Sequence, residues 1–245
     1  MRAEPGGLSD DYARAYVRQL DEVAVARVRR SRPLALFWPK VGRLYDGDLL
    51  VIGRAVNGWI DRWEPGDGRT PAELADIARH TGQGTVNGCS MGWVLDRWGQ
   101  RDGGYDTAGS QFWQTVRRVL VAQNPAWADN WASRVAWTNL AKVAPYDGAN
   151  PPSGMLKAQR GSAGTDLIVR EIAELAPHRI LALTNRWWFA PFAAALDVDL
   201  EEREGLVEAV GRRGEQRIVV AVHPMTRSPQ AVADAIVAAF EETTP

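Results

Sequence analysis

Short apolar runs that lack strict alternation take turns, along this chain, with segments whose apolar residues recur every three or four positions. The runs are Asp48 to Gly53 (DLLVIG), Arg134 to Leu140 (RVAWTNL), His178 to Thr184 (HRILALT) and Ile218 to Val222, and each predicts a buried strand. Ser9 to Arg30 carries Tyr12, Tyr16, Leu20, Val23 and Val25 at helical spacing behind Ser9 as N-cap. Thr70-Pro71 opens a predicted helix through His80, with Pro in the first turn. Further helices are predicted over Thr107 to Gln123 (Phe112, Val116, Val119 and Leu120 inward), Thr165 to Leu175, Asn185 to Leu196 and Ser228 to Glu241. Leu206 to Val210 reads as a hairpin arm turning through Gly211-Arg212-Arg213-Gly214. Gly82 to Met91 and Gly99 to Gly104 read as loops. Lys142 to Gly164, rich in Pro, Gly and Asn, reads as a long surface loop, and such loops are usually functional or mobile.

Strands that are apolar throughout, alternating with helices, predict a parallel sheet covered on both faces. The expected fold is therefore α/β, a three-layer α/β/α sandwich around a central, mainly parallel four-stranded sheet. There is no internal repeat and no linker, so residues 1–245 are read as a single domain with an N-terminal helical extension at about 9–30. In such sheets ligands bind beyond the C-terminal strand ends. Three predicted strand ends carry polar groups: Gly53-Arg54-Ala55-Val56-Asn57-Gly58-Trp59, Thr138-Asn139, and His223-Pro224.

Composition narrows the chemistry. The net charge is −1, so nucleic-acid binding would have to come from a local basic face. The single cysteine, Cys89, excludes a disulfide framework and a four-cysteine zinc or iron–sulfur site, and the three scattered His suggest no metal site. No cofactor is expected. There is no targeting segment and no run of ~18 apolar residues, which predicts a cytoplasmic chain with no membrane partner. Eleven Trp suggest a cleft with aromatic walls, although any one of them is more simply a core residue.

His223 is the sharpest candidate. It follows an apolar strand, Pro224 restricts it to extended backbone, and Ser228-Pro229 behind it has the form of a helix N-cap. A strand-end His bonded to a loop carbonyl has the same local sequence. Asn139 offers the paired donor and acceptor that suit a nucleobase edge, or else it satisfies loop backbone. Asn57-Gly58 is a turn signal, and its segment is neither a phosphate-binding loop nor a dinucleotide fingerprint. Asn87-Gly88-Cys89-Ser90 is a possible wall loop, and Cys89 has no His at a spacing that would make it a nucleophile. Arg212, Arg213 and Arg227 are candidate phosphate contacts, with a solvated surface the simpler reading for the first two.

Taken together, Gly53-Arg54-Ala55-Val56-Asn57-Gly58, Trp137-Thr138-Asn139-Leu140 and His223-Pro224-Met225-Thr226-Arg227-Ser228 resemble, in order and polarity, the three motifs of the uracil-DNA glycosylase superfamily. The resemblance runs from about Asp48 to Phe240. It implies a uracil-DNA glycosylase-like fold and a monofunctional DNA glycosylase that flips a nucleotide out of the stack and hydrolyses its N-glycosidic bond. On that resemblance Asn139 reads the base, with Gly53, Arg54, Ala55, Trp59 and Cys89 around it. His223 stabilises the leaving base, and Asn57, or less directly Asp61, places the water. Met225, Thr226, Arg227, Ser228 and Lys142 meet the DNA, with Met225 or Arg227 as the wedge. The family's catalytic Asp or Asn falls here on Ala55. That departure leaves three alternatives: Asn57 takes over, the branch works without a strong base, or catalysis is lost. The implied partner is DNA and the chain is expected to be a monomer. Uracil is the family default, and the altered first motif opens the pocket to a modified base such as a hypermodified cytosine, in repair or in defence against phage.

Two other classes stand beside this one. A non-catalytic nucleic-acid or nucleotide-binding module would keep the fold without the base. An unrelated α/β hydrolase or transferase would need a nucleophile near His223, and none is legible.

Overall fold

In chain order the elements are α1 (Asp10–Val25), β1 (Leu34–Leu36), β2 (Lys40–Val41), β3 (Leu49–Ala55), β4 (Arg62–Trp63), α2 (Pro71–Thr81), α3 (Gly92–Asp96), α4 (Gln111–Gln123), β5 (Val135–Ala141), β6 (Val143–Pro145), α5 (Ser153–Gln159), α6 (Ser162–Leu175), β7 (Arg179–Leu183), α7 (Arg186–Ala195), β8 (Leu200–Glu202), β9 (Val207–Arg213), β10 (Gln216–Ala221) and α8 (Pro229–Glu242). They come from a computed structural model that describes residues 8–25, 33–56, 62–64, 66–81, 88–102 and 104–242.

The four apolar runs become β3, β5, β7 and β10, which lie side by side in the order β5-β3-β7-β10 and are mutually parallel. The sheet is wider than the four strands expected. It has seven, because β2 pairs antiparallel with β5 at one edge, and β9 and β8 extend it antiparallel beyond β10. β2 is two residues long and β8 is Leu-Glu-Glu, too short and too polar to register as buried runs. A second sheet, β4-β1-β6, is separate.

Pleating sends successive side chains to opposite faces. Leu49, Val51, Leu181, Leu183, Val219 and Ala221 meet Val116, Val119 and Leu120 of α4 and Val232, Ile236 and Phe240 of α8. Leu50, Ile52, Ile180, Ala182, Ile218 and Val220 meet Ile168 and Ile172 of α6 and Trp188, Phe189 and Phe192 of α7. Helices thus cover both faces of a mainly parallel sheet. α1 is fully built in: Tyr12, Tyr16 and Leu20 share a third cluster with Leu34, Leu36, Trp38 and Leu167.

The caps fall where side-chain chemistry allows. Ser9 Oγ accepts from Tyr12 N at 3.2 Å, and Thr70 and Glu73 bond reciprocally in a capping box. Thr107 to Gly109 is a separate 3₁₀ turn, and Ser110 caps α4. The hairpin forms, but its turn is Gly214-Glu215, because Arg213 pairs with Gln216. Arg212 and Arg213 are therefore the last residues of β9, paired with the start of β10, at the end of the sheet remote from His223. Among the described residues no helix is long and apolar enough to cross a membrane.

The segment Lys142 to Gly164 is not a surface loop. It contains β6, α5 and the start of α6, and its prolines mark element boundaries. Gln159 closes it by bonding both backbone groups of Val143 at 2.8 Å. Lys142, expected at a DNA surface, is fully buried. Its Nζ donates to Glu171 Oε2 at 2.6 Å and to Thr138 Oγ1, and Tyr12 OH donates to the same carboxylate oxygen at 2.9 Å. Burial pushes the ammonium's pKa down, and Glu171 opposes that shift. Lys142 is a structural cation that ties β5 to α6 and α1, and it is withdrawn from the DNA contacts.

Removing one member of a buried pair strands the other charge. Lys142→Ala should therefore lower the unfolding free energy by about 3–5 kcal/mol in urea denaturation. The apolar double variant Lys142→Met/Glu171→Leu should recover most of that loss.

Candidate functional site

β3 is the first strand of the parallel set. The chain next adds β5 on one side of it and β7 on the other. The chain passes from β3 to β5 on one side and from β7 to β10 on the other, so the strand order reverses between β3 and β7, and the crevice beyond the C-terminal ends at such a switch is the usual ligand position in these sheets. Gly53, Arg54 and Ala55 on β3, Thr184 and Asn185 after β7, Asn139 on β5 and His223 after β10 occupy this end of the sheet.

Asn139 is 2% exposed and lies in register with Gly53 on the neighbouring strand. Its amide lies across Gly53 so closely that a Cβ there would overlap Asn139 Oδ1, and Phe112 Cε2 would stand 3.6 Å from the same Cβ. A glycine at 53 is thus what lets a buried amide reach the crevice. Among the described residues Asn139 Nδ2 has no hydrogen-bond partner. A buried donor left unpaired costs about 1–3 kcal/mol. The neighbouring wall is aromatic. Phe112 meets Trp113 edge-on at 4.9 Å, Trp113 meets Trp137 at 5.0 Å, and Trp93 lies 6.0 Å from Trp137. Of these rings Phe112 and Trp93 are partly exposed, whereas Trp113 and Trp137, like Trp38, Trp131 and Trp188, are buried in the cores.

His223 is half-buried and held from behind. Its backbone N–H donates to Asn185 Oδ1 at 3.1 Å, and its Nδ1 accepts from Met225 N–H at 3.3 Å. A neutral ring that accepts at Nδ1 carries its hydrogen on Nε2. Burial, and then the positive charge of Arg54, push its pKa down to about 4. The imidazole is thus a neutral N–H donor throughout the physiological range.

The His-Pro loop is a tight turn in which Arg227 N donates to Pro224 O at 3.0 Å. Thr226 takes φ = 66°, a strained value for a β-branched residue. Its N–H is held at 2.6 Å by Gln111 Oε1 from the first turn of α4. α4 therefore touches both parts of the crevice, Gly53 through Phe112 and the His-Pro loop through Gln111. The turn lifts Met225 to its tip, 63% exposed, beside the exposed Arg227. Ser228 Oγ accepts from Ala231 N at 3.4 Å and caps α8 as expected.

Asn185 was missed as a site residue. It adopts φ = 72° and ψ = 150°, a region almost reserved for glycine. Four bonds fix it there. Its N–H donates to Ala221 O at 3.0 Å, Oδ1 accepts from His223 N and from the Arg54 guanidinium, and Nδ2 donates to Glu208 Oε1 at 2.6 Å. Arg54 also donates from Nε to Thr184 O at 2.8 Å. One asparagine thus locks the ends of β3, β7 and β10 together. The legible signal was an Asn directly after an apolar run, as at Asn139. Gln111 and Phe112 gave none, because the helical period assigned Phe112 to the core.

Cys89 does not belong here. Its Sγ accepts from Arg43 N at 3.4 Å and donates to Ser133 Oγ at 3.6 Å, before the start of β5. It fills the core at the opposite end of the strands, and the spacing of its loop carried no information about which end it would reach. Ala55 is half-buried between the two cores. Asn57, Trp59 and Asp61 lie outside the described residues. Among the described residues no group of three or more His, Cys, Asp or Glu is placed to hold a metal ion. Neither protein-family models nor curated proteins give a match to this chain.

Two-dimensional ¹H–¹⁵N NMR of the imidazole should find the Nε2–H tautomer from pH 8 to 5 and a midpoint near 4. Arg54→Gln should raise that midpoint, since it removes a repelling cation. The folded pKa lies below the ordinary value, so the unfolded chain takes up the proton first. His223 therefore subtracts stability as pH falls from about 6.5 toward 4.

Proposed function

We propose that this chain is a DNA glycosylase of the uracil-DNA glycosylase superfamily. The observation that carries this reading is that a buried amide on Asn139, unpaired among the described residues, and a neutral imidazole on His223, with its N–H on Nε2, both stand at the C-terminal ends of the parallel strands. Both are donors, fixed before any ligand arrives, in a site with an aromatic wall. A flipped nucleobase presents carbonyl oxygens and ring nitrogens that accept such bonds and an apolar face for Phe112.

In this mechanism Asn139 Nδ2 donates to the base edge and selects its orientation. His223 Nε2–H donates to a base oxygen next to the glycosidic nitrogen. As the C1′–N bond breaks, its electron pair passes to the base, and the donor on His223 stabilises the growing negative charge. A water oxygen bonds to C1′, and its released proton neutralises the departing base. Asn57 or Asp61 would place that water. Met225, at the tip of the strained turn, fills the gap left by the flipped nucleotide. Uracil and bulkier modified cytosines are both substrates in this reading, the latter because Ala55 leaves the first motif small. The single unit with a uracil-DNA glycosylase-like fold, a cytoplasmic place and a monomeric state belong to the same proposal.

The second reading is a binding module that has lost catalysis, and Ala55, where the family positions its water, is the feature that favours it. An abasic-site assay separates the two. DNA containing uracil, and phage DNA containing modified cytosine, should break on heating in alkali after incubation with the protein. His223→Ala should reduce the rate by about 10²–10³-fold, as for loss of one preorganised donor, and Asn139→Ala should likewise reduce it. Retained folding with no breakage on any substrate would assign the binding role. Activity confined to uracil would remove the modified-base idea.

A further inference from the structure

A cationic aromatic cluster lies on the other face of the sheet from Asn139, at the same strand ends. Arg54, the crevice arginine, stands 5.7 Å from the Trp188 ring centroid, and Arg160 stands 5.0 Å from the same ring. Arg160 also lies 4.8 Å from the ring of Trp187, which is 58% exposed. Its guanidinium donates to Trp187 O at 3.5 Å. Burial pushes the Arg160 pKa down with no carboxylate offsetting it, and among the described residues it makes no ion pair. Among the described residues its Nε has no hydrogen-bond partner. A half-buried guanidinium held between two indole rings, with no carboxylate beside it among the described residues, is open to an anion from outside.

The placement is specific. α7 begins directly after Asn185, which puts Trp187 at the rim of the same strand ends. Arg160 is the C-cap of α5, so the folding of the former loop segment delivers it to that rim. Half-buried arginines supply charge for a phosphate backbone, and an exposed indole supplies a face for an unstacked base.

We propose that Trp187 and Arg160 form a single-stranded DNA subsite, in which Trp187 stacks a base neighbouring the flipped nucleotide and Arg160 holds its phosphate. The subsite extends the glycosylase reading, since it engages the strand whose nucleotide enters the crevice. It also selects unpaired or locally opened DNA over intact duplex, because a stacked base cannot reach an indole face.

The test is fluorescence anisotropy with fluorescein-labelled dT₁₂. This oligonucleotide carries no uracil or modified base, so the result is independent of whether the protein excises anything. Trp187→Ala should weaken binding about ten-fold or more, and Trp187→Phe should retain most of the affinity. Arg160→Gln should weaken binding and make the salt dependence shallower by about 0.7 in the log–log slope. Circular dichroism and Tm identify any variant that has lost its fold, and the exposed position of Trp187 makes that loss unexpected there. Unchanged affinity in folded Trp187→Ala and Arg160→Gln would overturn the proposal, as would failure of the wild type to bind dT₁₂. Binding that depends on Trp187, in a protein with no excision activity, would leave the subsite standing while the catalytic reading falls.

Discussion

The site depends on one close contact between neighbouring parallel strands, the Asn139 amide laid across Gly53. Any side chain at 53 would occupy the space that the amide fills. With glycine there, a polar group can sit 2% exposed inside a seven-stranded α/β sheet, with its amide at the strand ends. Among the described residues that donor is unpaired, which is unfavourable for the folded chain alone and favourable once a ligand accepts from it. The aromatic cluster of Phe112 and the buried Trp113 and Trp137 sharpens the effect, because a low-polarity surround strengthens a hydrogen bond that is made and penalises one that is not.

A second constraint acts across the sheet. Asn185 holds a backbone conformation that costs roughly 1–3 kcal/mol, and in return binds Arg54, His223 and Glu208 from three different strand ends. His223 thereby keeps its place, and burial first, with the Arg54 charge that the same network brings near second, opposes its protonation. α4 completes the frame by reaching Gly53 with Phe112 and the His-Pro turn with Gln111. Positioning, charge state and access are thus set by separate contacts, each identifiable by residue.

The four parallel strands were legible because their residues are buried on both faces, which removes alternation and leaves plain apolar runs. Ser9, Thr70 and Ser228 were legible because capping is a local side-chain-to-backbone bond. Asn139 and His223 were legible because polar residues at the ends of apolar strands have few structural reasons to be there. The edge strands were not, being too short or too polar to leave a pattern. Lys142 misled because nothing local to it announces Glu171, 29 residues away, as its buried partner. Cys89 misled for a related reason, since sequence places a residue in a loop without saying which end of the sheet that loop visits. Asn185 and Arg160 gain their significance only through contacts with distant strands and helices.

The central claim is that the Asn139 amide is a ligand donor held ready. Side-chain amide NMR of ¹⁵N-labelled protein, with Asn139 assigned through Asn139→Ala, tests it directly when free uracil or a modified cytosine base is titrated in. The account predicts a saturable shift of the Asn139 Nδ2 protons, and loss of that shift in Gly53→Ala, where the amide is displaced. Resonances that no base moves, in a protein whose Asn139 amide proves to be hydrogen-bonded within the fold, would contradict it.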